Sequence, residues 1–325
     1  MIVWSGSAPA QAPELPAFAR EAREGLQRAG QKTLPPKWLY DDLDTMLFDA
    51  ITALPEYGVW RAERRLLGAH AGEIAERCGA GLVIELGSGS ASKTRGLLEA
   101  QLAYRPVRYC DIDISARALE LARRQLDDLP RLHVQGFERE YLDGLEAALR
   151  LREGAERALV LFLGSSLGNF DRAGGARFLH RIRRALRRDD ALLLGTDMEK
   201  PEAQLLAAYD DPLGVTAAFN LNLLARMNRE LDADFALENF RHRARYDASK
   251  RDVQMHLESL CDQRVAVRSG GFTVSLHHGE TIHTESSHKY SVAELDQLVH
   301  DAGFASIARW RDGEWPFENR LLLAA

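Results

Sequence analysis

A rhythm that starts at Leu82 constrains the fold of this chain more than any other feature. Leu82-Val83-Ile84-Glu85-Leu86 is a short apolar run suited to a buried strand, and it ends in the turn Gly87-Ser88-Gly89-Ser90. A helical pattern follows from about Ser92 to Leu102, then a second strand, Val107 to Asp113. Ser115 is placed to cap a helix whose Leu119, Ala122, Leu126 and Leu129 recur at helical spacing, and Pro130 stops it. Leu132 to Val134, Ala158 to Leu163 and Ala191 to Gly195 read as further strands. The middle one is apolar throughout, as a strand covered on both faces must be. Before the last of them a helix turns Phe178, Ile182 and Leu186 inward. Strands and helices alternating at this spacing predict a parallel, doubly wound α/β sheet.

The rhythm breaks after Asp197. Residues 198–287 combine a helical region, Thr216 to Glu230, with alternating strands around Val253, Met255 and Leu257, around Val265 and Val267, and around Phe272, Val274 and Leu276. Gly270-Gly271 is a hairpin turn between the last two. The α/β pattern resumes at Ser291-Val292-Ala293-Glu294, a capping box whose helix ends at Gly303, and strands near Ala305 to Arg311 and Arg320 to Ala324 close the chain. Residues 1–36, rich in Ala and Pro with a helical pattern from Phe18 to Leu26, read as an arm on the body. The expected organisation is an arm and part of a lid over 1–62, a nucleotide-type core over 63–197, an inserted lid over 198–287, and the rest of the core over 288–325. Ligands are expected at the carboxyl ends of the strands, between core and lid.

A net charge of −6 over 325 residues supplies no basic footprint, so nucleic acid and acidic membrane are not expected partners and a small molecule is. The three cysteines, Cys78, Cys110 and Cys261, have neither disulfide nor zinc spacing, which fits a reducing cytosol. No basic leader and no apolar run of bilayer length is present, so the expectation is a cytoplasmic protein acting as a monomer. His277, His278, His283 and His288 match no zinc pattern, and no metal is expected.

The glycine turn lets backbone N–H groups approach a ligand at a helix start, although such turns also serve as plain connections. Two features point to a nucleoside with a cationic amino-acid tail. Glu85 precedes the turn, where a carboxylate would repel a pyrophosphate, and Ala91 and Ser92 stand where a dinucleotide fingerprint needs its third glycine. Asp111 and Asp113 end the second strand, where one carboxylate can accept ribose hydroxyls and the other can cap a helix. A methyltransferase is therefore favoured over a dehydrogenase. At the end of the fourth strand, Gly164 and Asn169 offer a carbonyl and an amide to an amine nucleophile, which methyl transfer needs only to hold in line. Asn169 can equally be the N-cap of the next helix. Tyr40 and Tyr57 can be core aromatics, and Tyr209-Asp210-Asp211 a helix end. Glu285 and Ser287, two apart in a strand, share a face.

With these segments in place the chain resembles the histidine-specific Nα-methyltransferases of ergothioneine biosynthesis. The carriers include Leu34-Pro35-Pro36-Lys37-Trp38-Leu39-Tyr40-Asp41, Leu54-Pro55-Glu56-Tyr57, Arg61-Ala62-Glu63, Glu85-Leu86-Gly87-Ser88-Gly89 with Lys93-Thr94-Arg95, and Phe162-Leu163-Gly164-Ser165-Ser166-Leu167-Gly168-Asn169. Ala208-Tyr209-Asp210-Asp211, Gly214-Val215-Thr216-Ala217-Ala218-Phe219-Asn220 and Thr284-Glu285-Ser286-Ser287 continue it, so that it covers nearly everything after Leu34. The resemblance implies a Rossmann-like class I methyltransferase core with an inserted α+β substrate-binding domain. It implies S-adenosyl-L-methionine (SAM) as cofactor, S-adenosyl-L-homocysteine as product, and L-histidine trimethylated to hercynine as the reaction. Asn169 and Tyr209 match the residues that hold the substrate carboxylate and amine, with the Gly164 carbonyl near the amine. Tyr40, Tyr57, Thr216, Phe219, Met255, Glu285 and Ser287 match the substrate pocket, with Glu285 and Ser287 on the imidazole. Glu85, Gly87, Ser88, Gly89, Lys93, Asp113 and Phe137 correspond to the cofactor side.

Two departures stand out. Gly58-Val59-Trp60 follows Tyr57 where the family commonly has Tyr-Pro-Thr, and Gln135-Gly136-Phe137 lacks the carboxylate of an adenine-binding Asp-Phe pair. Phe137 remains to pack on the ring, and Trp60 is placed to reshape the side-chain pocket.

Overall fold

A computed structural model describes residues 15–325. Residues 1–14 of the expected arm lie outside the described residues. The described residues begin with α1 (Ala17–Gln27), β1 (Lys32–Thr33), α2 (Asp42–Ala53) and α3 (Val59–Cys78). The alternating run follows: β2 (Leu82–Leu86), α4 (Arg95–Leu102), β3 (Val107–Asp113), α5 (Ala116–Leu126), β4 (Leu132–Glu138), α6 (Tyr141–Leu149), β5 (Ala158–Phe162), α7 (Arg172–Ala185) and β6 (Ala191–Asp197). Then come α8 (Glu202–Tyr209), α9 (Val215–Leu231), β7 (Phe240–Asp247), β8 (Asp252–Ser259), β9 (Gln263–Val267), β10 (Phe272–Leu276) and β11 (Thr281–His288). The chain closes with α10 (Val292–Asp301), β12 (Phe304–Arg311) and β13 (Phe317–Ala324).

The larger sheet runs β12-β13-β6-β5-β2-β3-β4. β2 to β6 are parallel, while β13 is antiparallel to β6 and to β12. β2, β5 and β6 are buried along their whole length, which is why their sequences are nearly unbroken apolar runs. The chain leaves β2 toward β3 on one side and returns as β5 on the other. The crevice at that switch point is where a doubly wound sheet takes its ligand. This is a Rossmann-like α/β core.

The smaller sheet, β1-β11-β8-β7, is antiparallel except at its edge, where Lys32 and Thr33 pair in parallel with Ile282 and His283. β9 and β10 form a separate hairpin. Ser115 caps α5 as expected, accepting from the Ala118 N–H at 3.2 Å. The capping box at Ser291 is only half formed. Ser291 accepts from the Glu294 N–H at 3.2 Å, but the Glu294 carboxylate is drawn away by Arg251 and His288. No helix among the described residues is long and apolar enough to cross a membrane.

Candidate active site

A cavity of about 640 Å³ opens where the carboxyl ends of β2, β3 and β5 face α2, α8, α9 and the β8–β11 pair. At its core end lies the glycine turn. Gly87, Gly89 and Ala91 have φ of 77°, 57° and 54°, the left-handed region that glycine enters without strain. The Gly87 N–H bonds the Ile112 carbonyl at 2.8 Å, which ties the turn to β3. A Cβ on Gly87 would come within 2.9 Å of the Tyr141 hydroxyl, whereas Gly89 faces open space that a ligand can fill. Ser88, Lys93 and Asp113 also line this end. The Asp113 carboxylate accepts from the Ser115 N–H at 2.9 Å, and burial pushes its pKa up. A ring of backbone, one carboxylate and one ammonium fits a nucleoside with an amino-acid tail.

The two acids of β3 thus differ. Asp113 faces the cavity, Asp111 is buried away from it with its pKa pushed up to about 8 by burial, and neither caps α5. Two expected cofactor residues lie elsewhere. Glu85 does not line the cavity: its buried carboxylate accepts from Tyr109 at 2.6 Å and Thr94 at 2.8 Å, which anchors the turn from beneath. Phe137 does not line the cavity: it packs in the apolar cluster that also holds Tyr141 and Leu142, and these two with Glu140 and Asp143 form that part of the wall.

At the far end every expected substrate residue lines the cavity: Tyr40, Tyr57, Gly164, Asn169, Tyr209, Thr216, Phe219, Met255, Glu285 and Ser287. Gly164 (φ 72°) and Ser165 (φ 62°) turn the chain sharply after β5 into a short 3₁₀ turn, Ser166–Asn169. The N-cap of α7 is Asp171, so the Asn169 side chain is free for another partner. Its Nδ2 donates to the Glu285 carboxylate at 3.2 Å. Gly168 permits that approach, since a Cβ there would stand 2.8 Å from the His288 carbonyl. β11 carries an extra residue between His283, opposite His256, and Glu285, opposite Met255. This bulge turns Glu285 to the face opposite His283 and beside Met255 in the cavity wall.

Tyr40 and Tyr57 belong to a train of edge-on rings. Phe219 and Tyr40 lie 6.0 Å apart, Tyr40 and Phe48 6.3 Å, Phe48 and Tyr57 6.2 Å, and Tyr57 and Tyr209 6.3 Å. Burial pushes the Tyr40, Tyr57 and Tyr209 phenols up, so they stay protonated donors. Burial also raises Glu285 to about 7, with Lys289 pulling it down. Trp60 is in the wall as well. Its neighbour Gly58 has no side chain because the Trp315 ring occupies the place a Cβ would take, 2.2 Å away.

Three polar residues of the site carry no role in the sequence reading. Glu63, fully buried on α3, accepts from the Gly164 N–H at 2.9 Å and pairs with Lys93, joining the two ends of the cavity. Lys289 and Asp197 lie beneath Tyr209 and Ser287. Lys289 has a legible signal: it extends the alternation of Glu285 and Ser287 by one more step.

A model of the histidine-specific, SAM-dependent methyltransferases matches residues 18–324. The chain belongs to that family. It is 40% identical over 302 residues to a histidine N-alpha-methyltransferase of Mycobacterium tuberculosis, covering 91% of each protein. It is 31% identical to ergothioneine biosynthesis protein 1 of Neurospora crassa, over 87% of this chain and 32% of that one. An L-tryptophan methyltransferase of Psilocybe serbica is 28% identical over 89% of this chain and 88% of its own length. The chain is thus a SAM-dependent methyltransferase, and its family's chemistry fits the two-ended cavity.

Proposed function

We propose that the protein methylates the α-amine of L-histidine, up to three times, to give hercynine for ergothioneine biosynthesis. The observation that carries this is that Glu285 and Ser287 line one cavity with the glycine turn, together with Asn169, Tyr209 and Gly164. An amino acid lying in that cavity has its ring against a carboxylate and a hydroxyl and its amine near the turn. SAM, when bound, supplies an electrophilic methyl group on a sulfonium. Gly87, Ser88, Gly89 and Lys93 would hold its amino-acid tail, and Asp113 its ribose hydroxyls. Asn169 and Tyr209 hold the substrate carboxylate and amine, and the Gly164 carbonyl accepts an amine hydrogen, which aims the lone pair. Glu63 keeps that carbonyl in place by bonding the N–H of the same residue. A pocket with few amine contacts still accepts the mono- and dimethyl forms, which have fewer hydrogens to donate. The unpaired cysteines support a cytoplasmic setting.

A second amino acid as substrate is favoured by one feature, Trp60 in the wall. Incubation with L-histidine and SAM, followed by mass spectrometry, tests the proposal. It requires Nα-trimethylhistidine; no histidine product, with another amine methylated, would contradict it.

A further inference from the structure

Lys289 follows β11 and is fully buried. An ammonium has three hydrogens and no lone pair, so burying one is costly unless each hydrogen finds an acceptor. Two hydrogens reach the Tyr209 and Ser287 hydroxyls, each at 2.8 Å, and the charge is paired with Asp197, whose Oδ2 lies 2.9 Å away. Asp197 is shared, however. Its Oδ1 accepts from Lys200 and from Trp315 Nε1, the latter at 2.9 Å. Two ammonium ions on one carboxylate leave a surplus positive charge under the cavity. The carboxylate available to balance it is Glu285, on the same face of the strand and within the field of Lys289. The other groups facing this spot are neutral: the phenols of Tyr40, Tyr57 and Tyr209, and behind Tyr209 the His242 ring, which burial keeps unprotonated.

The hydroxyls of Tyr209 and Ser287 lie 2.8 Å apart. A phenol is the stronger acid, so Tyr209 donates and Ser287 accepts. Ser287 Oγ then accepts from both Tyr209 and Lys289, which fills its two lone pairs. Only its own hydrogen remains for a ligand.

We propose that Lys289 is a positioning residue that sets the polarity of the side-chain pocket, leaving Ser287 a donor and giving Glu285 its counter-charge. The pocket then takes a ring with one bare nitrogen and one N–H, the neutral form of an imidazole. An imidazolium brings a hydrogen against the Ser287 hydrogen, and an indole brings no bare nitrogen. The inference rests on the proposed placement of the substrate ring against Glu285 and Ser287.

Calorimetric titration of histidine into the protein with S-adenosylhomocysteine, across pH 5.5–9, is the test, with the cofactor product also reporting that each variant is folded. Wild-type binding weakens as pH falls through about 7. In Lys289→Met, Glu285 loses its counter-charge and holds its proton to higher pH, so this acid limb moves up by about one unit, which costs about fivefold in affinity at pH 7 and about tenfold well below it. A limb that stays in place while affinity drops evenly would reduce Lys289 to packing and overturn the proposal. Undiminished binding in Glu285→Gln would overturn the ring placement itself, and the proposal with it. Should Lys289→Met fail to fold, ¹⁵N NMR of ring-labelled histidine on the wild-type protein decides at pH 6, below the free ring's usual pKa of about 6.5. One bare and one protonated nitrogen supports the donor role of Ser287; two protonated nitrogens refute it.

Discussion

At the cofactor end of the cavity the surface is made largely of backbone, from consecutive residues at one strand end, with Asp113 and Lys93 added from close by in sequence. At the substrate end it is made of side chains drawn from α2, α8, α9, β8, β11 and the turn after β5, residues up to 247 positions apart in the case of Tyr40 and Ser287 (the difference of their numbers). The first construction follows from the sheet alone. The second depends on long-range packing, a bulge and buried charges, so it can change substrate while the first stays constant. Substitutions should therefore separate the two ends.

The largest effect is expected where the ends meet. Asn169→Ala removes the amide that bonds Glu285 and that we propose holds the substrate, and kcat/KM for histidine should fall by about 1000-fold. Cofactor affinity by calorimetry should hardly change; a matching loss there would break the distinction. Next comes Glu285→Gln, expected to cost about 100-fold in kcat/KM through the loss of a charged hydrogen bond. Its pH profile sharpens the point. Burial sets Glu285 near 7, so the acceptor form is present above that pH and is lost as pH falls through it. The wild-type rate should fall along that limb, and the contribution of Glu285 to it should vanish in the variant. Asp113→Asn acts at the other end: SAM affinity should weaken by about tenfold, with the preference for histidine over tryptophan unaltered. The smallest effect on chemistry is expected from Gly168→Ala. The added Cβ presses on the His288 carbonyl and should cost about 1–3 kcal/mol of stability, seen as a lower Tm, with a raised KM for histidine.

The same division explains which parts of the molecule are legible in the amino-acid sequence. β2, β3, β5 and β6 can be read there because a strand buried on both faces must be largely apolar. β4 runs on to Glu138, past the expected Val134, because it is a half-exposed edge strand whose later residues are polar. β7, Phe-Arg-His-Arg-Ala-Arg-Tyr-Asp, gives no signal: its outward face is arginine and its inward face is interrupted by His242. The pocket residues on the substrate side follow from family resemblance, and the structure brings them to one cavity. What resemblance to motifs does not convey is depth. Glu85 reads as a ligand because it borders the turn, yet a residue one step before a strand's end points into the sheet's packing, where Tyr109 and Thr94 take its charge. Phe137 departs from its expected place in the same way. Glu63 carries no assignment from sequence because a buried ion is recognisable only once its partners are known, whereas Lys289 continues a visible alternation.

The central claim is that Glu285 and Ser287, with their support below, choose the amine that meets the cofactor. Equal amounts of histidine, tryptophan and tyrosine incubated in one vessel with limiting SAM test it most directly, with mass spectrometry of all products. Nα-methylated histidine is the dominant product if the claim holds; methylated tryptophan or tyrosine with histidine untouched would contradict it.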